Sequence, residues 1–206
     1  MDIENIDLKA LILSRKGLIA EVAEREAEHI RTIARIMAKC LGSGGTVYAC
    51  GNGGSASQAE HFSAELVGRF NRDRRSLPVY SLSENGAVLS SLANDYTFEH
   101  VFSHQIEGVG RAGDCLLALS TSGNSENIVR GCRAAKAKGL HVFALTGESG
   151  GCVLPECDIA VRIPDTNTAR IQEMHLVVIH LLCQLVESAL FAGDKSKKAA
   201  EERVST

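Results

Sequence analysis

The chain has too little positive charge to act on nucleic acid. Its 22 lysines and arginines stand against 25 aspartates and glutamates, a formal net charge of -3, and no basic stripe offers a footprint for phosphate backbones. No apolar run reads as long enough to span a bilayer, so no membrane partner is expected. The first residues, Met1-Asp2-Ile3-Glu4, lack the basic start and apolar stretch of a secretion signal, which makes the cytoplasm the expected compartment. No CxxC occurs among the seven cysteines, Cys40, Cys50, Cys115, Cys132, Cys152, Cys157 and Cys183. Odd in number and scattered, they read as reduced, mostly buried thiols. Only three prolines and 45% hydrophobic residues in 206 positions describe one globular domain with a sizeable core.

Helical and strand-like stretches alternate along that domain. After a short segment ending near Gly17, the apolar positions Ile19, Val22, Ile30, Ile33 and Met37 mark a long helix that stops at Gly42-Ser43-Gly44-Gly45. Apolar runs at Thr46–Cys50, Pro78–Leu82, Asp114–Leu119, Leu140–Thr146 and Asp158–Ile163 read as buried strands. Helices are expected over Ser83–Asn94, Phe98–Val109, Ile128–Lys138 and Thr168–Phe191, the last apolar nearly all round and so buried. Apolar strands separated by helices imply an α/β fold, a parallel sheet covered on both faces. The domain is expected to span 1–193, including the amino-terminal helical segment 1–42, with a charged tail at 194–206 that frays.

Two junctions carry the chemistry. The first strand empties into Gly51-Asn52-Gly53-Gly54-Ser55 and then into a helix. Its glycines free the backbone to turn and to approach a ligand, and the helix start points unsatisfied N–H groups at an anion. On that helix His61 and Glu65 share a face at a spacing of four. The third strand empties into Ser120-Thr121-Ser122-Gly123-Asn124-Ser125. One capping hydroxyl would serve the helix that follows, so the surplus favours a phosphate cradle. Both loops follow strand ends, where open parallel sheets bind ligands near the topological switch point. Other polar clusters read as structural. Arg69, Arg72, Arg74 and Arg75, interrupted by Asp73, read as a solvated helix end, and His100 and His104 lack an acidic partner at ligand spacing. His180, in an apolar helix, is by itself more simply a core histidine. Helical geometry puts Glu173 nearly in line with His180 and Gln172 about 80° away, so spacing does not choose its partner.

GNGGS with HFSAEL after it, Asn94-Asp95, STSGNS and ARIQEMH leading to His180 together resemble the phosphoheptose isomerases of the sugar isomerase (SIS) domain superfamily, from the amino-terminal helix to about Phe191. The resemblance implies a three-layer α-β-α sandwich around a five-stranded parallel sheet, flavodoxin-like, assembled as a homotetramer. It implies aldose-ketose isomerisation of sedoheptulose 7-phosphate to D-glycero-D-manno-heptose 7-phosphate through an enediol, the first step of ADP-heptose biosynthesis for lipopolysaccharide core or other heptose glycans. It implies one Zn2+ per subunit on His61, Glu65, Gln172 and His180, which reverses the core reading of His180. Substrate contacts are implied at Asn52, Gly53, Gly54, Ser55, Glu65, Asn94, Asp95, Ser120, Thr121, Ser122, Ser125 and Gln172, with acid–base work at Glu65 and His180. Some relatives place an aspartate before the arginine of RIQE; Ala169 stands there, so no catalytic acid is expected at that position. The alternatives are a non-catalytic SIS protein that binds the bacterial replication initiator, or a sugar-phosphate-sensing module. Against the first stand STSG and His180; against the second stands the set His61, Glu65 and His180.

Overall fold

The computed structural model of the chain describes residues 3–192, so the expected tail at 194–206 lies outside the described residues. Eleven regular elements follow one another: α1 (Leu8–Gly42), β1 (Val47–Gly51), α2 (Gly54–Val67), β2 (Val79–Ser81), α3 (Gly86–Asp95), α4 (Ser103–Val109), β3 (Cys115–Ser120), α5 (Glu126–Ala137), β4 (His141–Gly147), β5 (Ile159–Ile163) and α6 (Thr168–Phe191). The five strands form one parallel sheet in the order β2-β1-β3-β4-β5. The chain leaves β1 toward one edge and returns to lay β3 on its other side, which opens a crevice beyond the carboxyl ends of β1 and β3.

Alternate strand residues point to opposite faces and divide the core in two. Val47, Ala49, Leu117, Leu119 and Phe143 pack with α1, α2 and α6, whereas Cys50, Leu116, Ala118 and Val142 pack with α3, α4 and α5. All seven cysteines are free thiols, five of them buried. The expected three-layer sandwich and its long leading helix are present.

Several expectations change at the level of elements. The first helix begins at Leu8 and runs straight through Gly17, because Asp7 caps it by accepting from the Ala10 N–H at 2.9 Å. Leu18, not Ile19, turns to the core. The helix expected over 98–109 divides into a 3-10 turn at Phe98–His100 and α4. A further 3-10 turn, Gly151–Glu156, occupies what reads as loop. The α6 helix is not buried all round. Ile171, Met174, Val178, Ile179, Leu182 and Val186 face the core, while Leu176, Val177 and Leu181 are exposed because α1, α2 and the strands β4 and β5 cover only part of its circumference. By length and composition α6 does reach the size of a membrane-spanning helix, with a mean hydropathy of 1.7 over its most apolar window. It is instead the helix around which one face of the sheet is packed.

His175, from α6, is fully buried and donates from Nε2 to the Thr146 carbonyl oxygen at 3.2 Å, while Nδ1 has no partner. Burial holds its pKa down to about 4 from 6.5. The unfolded chain therefore binds the proton that the folded one refuses. The neutral ring's contribution is complete above pH 6.5 and is lost as pH falls toward 4, in all about 3 kcal/mol. Urea midpoints at pH 7 and pH 4.5 should accordingly fall further for the parent than for His175→Gln; equal falls would exclude His175 as the cause.

Candidate active site

At the end of β1 the chain turns through Asn52 and Gly53, whose φ of 54° is left-handed, into α2. Gly54 opens that helix against α6: a Cβ there would lie 2.7 Å from the Gln172 side-chain nitrogen. Across the switch point Asn52 and Asn127 exchange side-chain amide hydrogen bonds, both 2.9 Å, so the two loops are stitched together. Asn127 drew no notice in the sequence; its signal is its place in the first turn of the helix after the serine loop.

The serine loop spends little of its hydrogen-bonding capacity on itself. Ser120 Oγ accepts from Gly123 N–H and Ser122 Oγ from Asn124 N–H, both at 3.1 Å. Ser125 is the N-cap of α5, yet its side chain makes no capping bond. Among the described residues the hydroxyls of Thr121 and Ser125 bond to no protein group. A cleft of about 190 Å³ lies between the two loops, lined by Asn52, Ser55, Ser120, Thr121, Ser122, Ser125 and Gln172 together with Leu119 and Thr168. Free hydroxyls above the amino end of α5 are donors of the kind that can receive an anion. Asn94 and Asp95 do not line it; exposed at the end of α3, they are bonded to each other at 2.9 Å.

The second cluster lies two turns along α2. His61 Nε2 is 2.9 Å from His180 Nε2 and 3.5 Å from Glu65 Oε1, and the three groups, all half-buried, can offer donor atoms within 4.8 Å of one another. Two imidazole nitrogens at that distance need either a proton or a cation between them. Ligands of a tetrahedral zinc lie about 3.4 Å apart, so this set fits a metal ion. Gln172 is placed differently, with its amide beside Gly54, about 10 Å of helix rise before His61. Its backbone carbonyl accepts from Gln58 Nε2 at 2.6 Å. Glu173, the in-line neighbour of His180, is engaged by Arg15 of α1 at 2.9 Å and 3.1 Å.

A SIS domain model matches residues 13–147. A phosphoheptose isomerase of Chromohalobacter salexigens is 48% identical over 167 residues, 80% of this chain and 85% of that one. The chain belongs to the phosphoheptose isomerase family of SIS-domain proteins. Family membership extends to the coordinates. The structure of a phosphoheptose isomerase from Neisseria gonorrhoeae superposes with a TM-score of 0.83 at 38% identity, over 88% of this chain and 97% of that one. One from Francisella tularensis gives 0.85 at 35% identity, over 88% and 96%.

Within this family member, one residue reading needs correction and another holds. Arg74 is not solvated: its side chain is 1% exposed and is paired with Glu187. The signal for it was Glu187 itself, a lone acid deep in an apolar helix, which demands a cation. His100 is bonded to Thr97 at 3.0 Å and to Arg130 at 2.7 Å, as befits a structural residue. At the start of α6, Arg170 turns to Asp165 in a bidentate pair of 2.6 Å and 2.9 Å, which holds that carboxyl down to about 2.

Proposed function

We propose that this chain is a phosphoheptose isomerase that converts sedoheptulose 7-phosphate into D-glycero-D-manno-heptose 7-phosphate, with the product destined for ADP-heptose and heptose-bearing glycans such as lipopolysaccharide core. The observation that carries the reading is a cleft lined by free hydroxyls together with a His, Glu, His cluster two turns further along α2, in a chain 48% identical to an enzyme of that name. Ser120, Thr121, Ser122 and Ser125 hold the phosphate; Asn52, Gly53, Gly54 and Ser55 face the sugar, with Asn94, Asp95 and Gln172 closing on its hydroxyls. One Zn2+ per subunit would be held by His61, Glu65, Gln172 and His180. When bound, the metal supplies Lewis-acid polarisation of the substrate oxygens.

The chain's own residues supply the proton transfers. One proton leaves C1 of the ketose while the C2 carbonyl oxygen takes one up, giving an enediol across C1 and C2. A proton then returns to C2 while the C1 hydroxyl gives up its own, so that an aldehyde remains. Glu65 and His180 divide this work. The alternative of a sugar-phosphate sensor needs the cradle but not the cluster.

The exposed Leu8, Leu11, Ile12, Leu176, Val177 and Leu181 on α1 and α6 favour association with further copies of this chain, read here as a homotetramer. The deciding experiment is turnover of sedoheptulose 7-phosphate by the purified protein, its mass read by light scattering, with and without added zinc. Aldose formation that rises with zinc, by a particle of four chains, is expected. Phosphosugar binding with no turnover in either condition would move the assignment to a sensor, and a monomeric mass would remove the tetramer.

A further inference from the structure

The α2 helix ends at Val67, so the carbonyls of its last turn have no partners further along the helix. Arg74 supplies them. Its guanidinium donates to the carbonyl oxygens of Glu65 at 2.9 Å, of Leu66 at 2.8 Å and of Gly68 at 2.8 Å. Its Nε donates to Glu187 Oε1 at 3.2 Å, and the other oxygen of Glu187 accepts from the Asn71 N–H at 2.9 Å. Side-chain exposures of 1% and 2% make this pair part of the interior. A cation over a helix carboxyl end also opposes the negative end of the helix dipole.

The helices that Arg74 and Glu187 join are the two that carry the metal-ligand triad. Glu65, whose carbonyl Arg74 holds, presents its carboxylate to the cluster. Glu187 stands seven residues after His180, two turns along the same face of α6. Between these two levels lies the buried thiol of Cys183. A pair buried this deeply does not gain its place by adding stability, since well-packed apolar residues serve stability as well. We infer that the Arg74–Glu187 pair is a positioning element of the metal centre: it fixes the last turn of α2 and its separation from α6, and so sets the distances among His61, Glu65 and His180.

This inference rests on the reading of the triad as a metal site, and its test keeps the two apart. The double variant Arg74→Met, Glu187→Met removes both charges together and leaves no lone buried ion. Zinc affinity would be measured by competition with a chromogenic chelator, alongside the visible absorption of the Co2+-loaded protein, which reports ligand geometry. Loss of outer supporting contacts typically weakens metal binding about 10- to 100-fold, and that weakening is expected here, with an altered Co2+ spectrum, alongside a lower melting temperature because the carbonyls of Glu65, Leu66 and Gly68 lose Arg74 as a donor. Val153→Ala, in the core on the opposite face of the sheet, should lower stability and leave zinc affinity unchanged. Should the double variant fail to fold, Glu187→Gln is read in the same way, with the same expected loss. Parent-like zinc affinity and an unaltered Co2+ spectrum in a folded variant would overturn the inference alone. A parent protein that takes up no zinc would overturn the metal reading and this inference with it.

Discussion

Glu65→Gln is expected to lower turnover of the ketose phosphate by about a thousand-fold, within the range that positioned acid–base groups supply. The substitution keeps the side chain's size and a carbonyl oxygen 3.5 Å from His61 Nε2, but removes the negative charge that a metal ion and a proton transfer both require. Glu65 projects toward His61 and His180, whereas the hydroxyls of Ser120 to Ser125 line a cleft to which none of those three residues contributes. Inhibition by inorganic phosphate should therefore remain within about threefold of the parent value, since none of its contacts changes. Steady-state kinetics with phosphate as competitor separates the two effects. Turnover within tenfold of the parent would remove Glu65 from the acid–base pair, and loss of phosphate inhibition would mean that the two clusters are not separate as described.

The two residue clusters were legible in the sequence because each is local. A glycine-rich turn, a run of hydroxyls and an i, i+4 pair are each written in consecutive residues, and apolar strands between helices fix the parallel sheet that gathers their loops at one edge. His180 required more, since nothing in α6 marks it except likeness to a family. Features that depend on distant partners were not legible. Arg74 and Glu187 are 113 positions apart, and an arginine among other arginines looks solvated until its carboxylate is found. The exposed face of α6 was hidden for a related reason: an apolar helix looks the same in sequence whether its neighbours cover all of it or one side. The start of α1 was missed because Gly17 reads as a break, although one glycine costs a helix only about 1 kcal/mol and the 35 residues of α1 absorb it.

The hydroxyl loop proposed to hold the phosphate has its weak point at a glycine. Gly123 sits at φ 67°, where a side chain is strained, and a Cβ there would overlap the Gly150 carbonyl of the next loop. Its own carbonyl accepts from the Val153 N–H at 2.9 Å, and its N–H donates to Ser120, so it joins the serine loop to the turn after β4. Gly123→Ala must therefore push the two loops apart, because neither contact is with the flexible end of a side chain. The hydroxyls of Thr121 and Ser125 then lose their common aim. The expected result is a rise of about 30-fold in KM for the sugar phosphate, close to 2 kcal/mol of binding, with a parallel loss of phosphate inhibition. Zinc affinity should stay at the parent value, because His61, Glu65 and His180 stand on α2 and α6, which this loop does not hold in place. Steady-state kinetics and zinc titration on the same preparation decide the matter. An unchanged KM would show that the cradle is not where the phosphate is held, and a fall in zinc affinity would show that the two clusters are mechanically one.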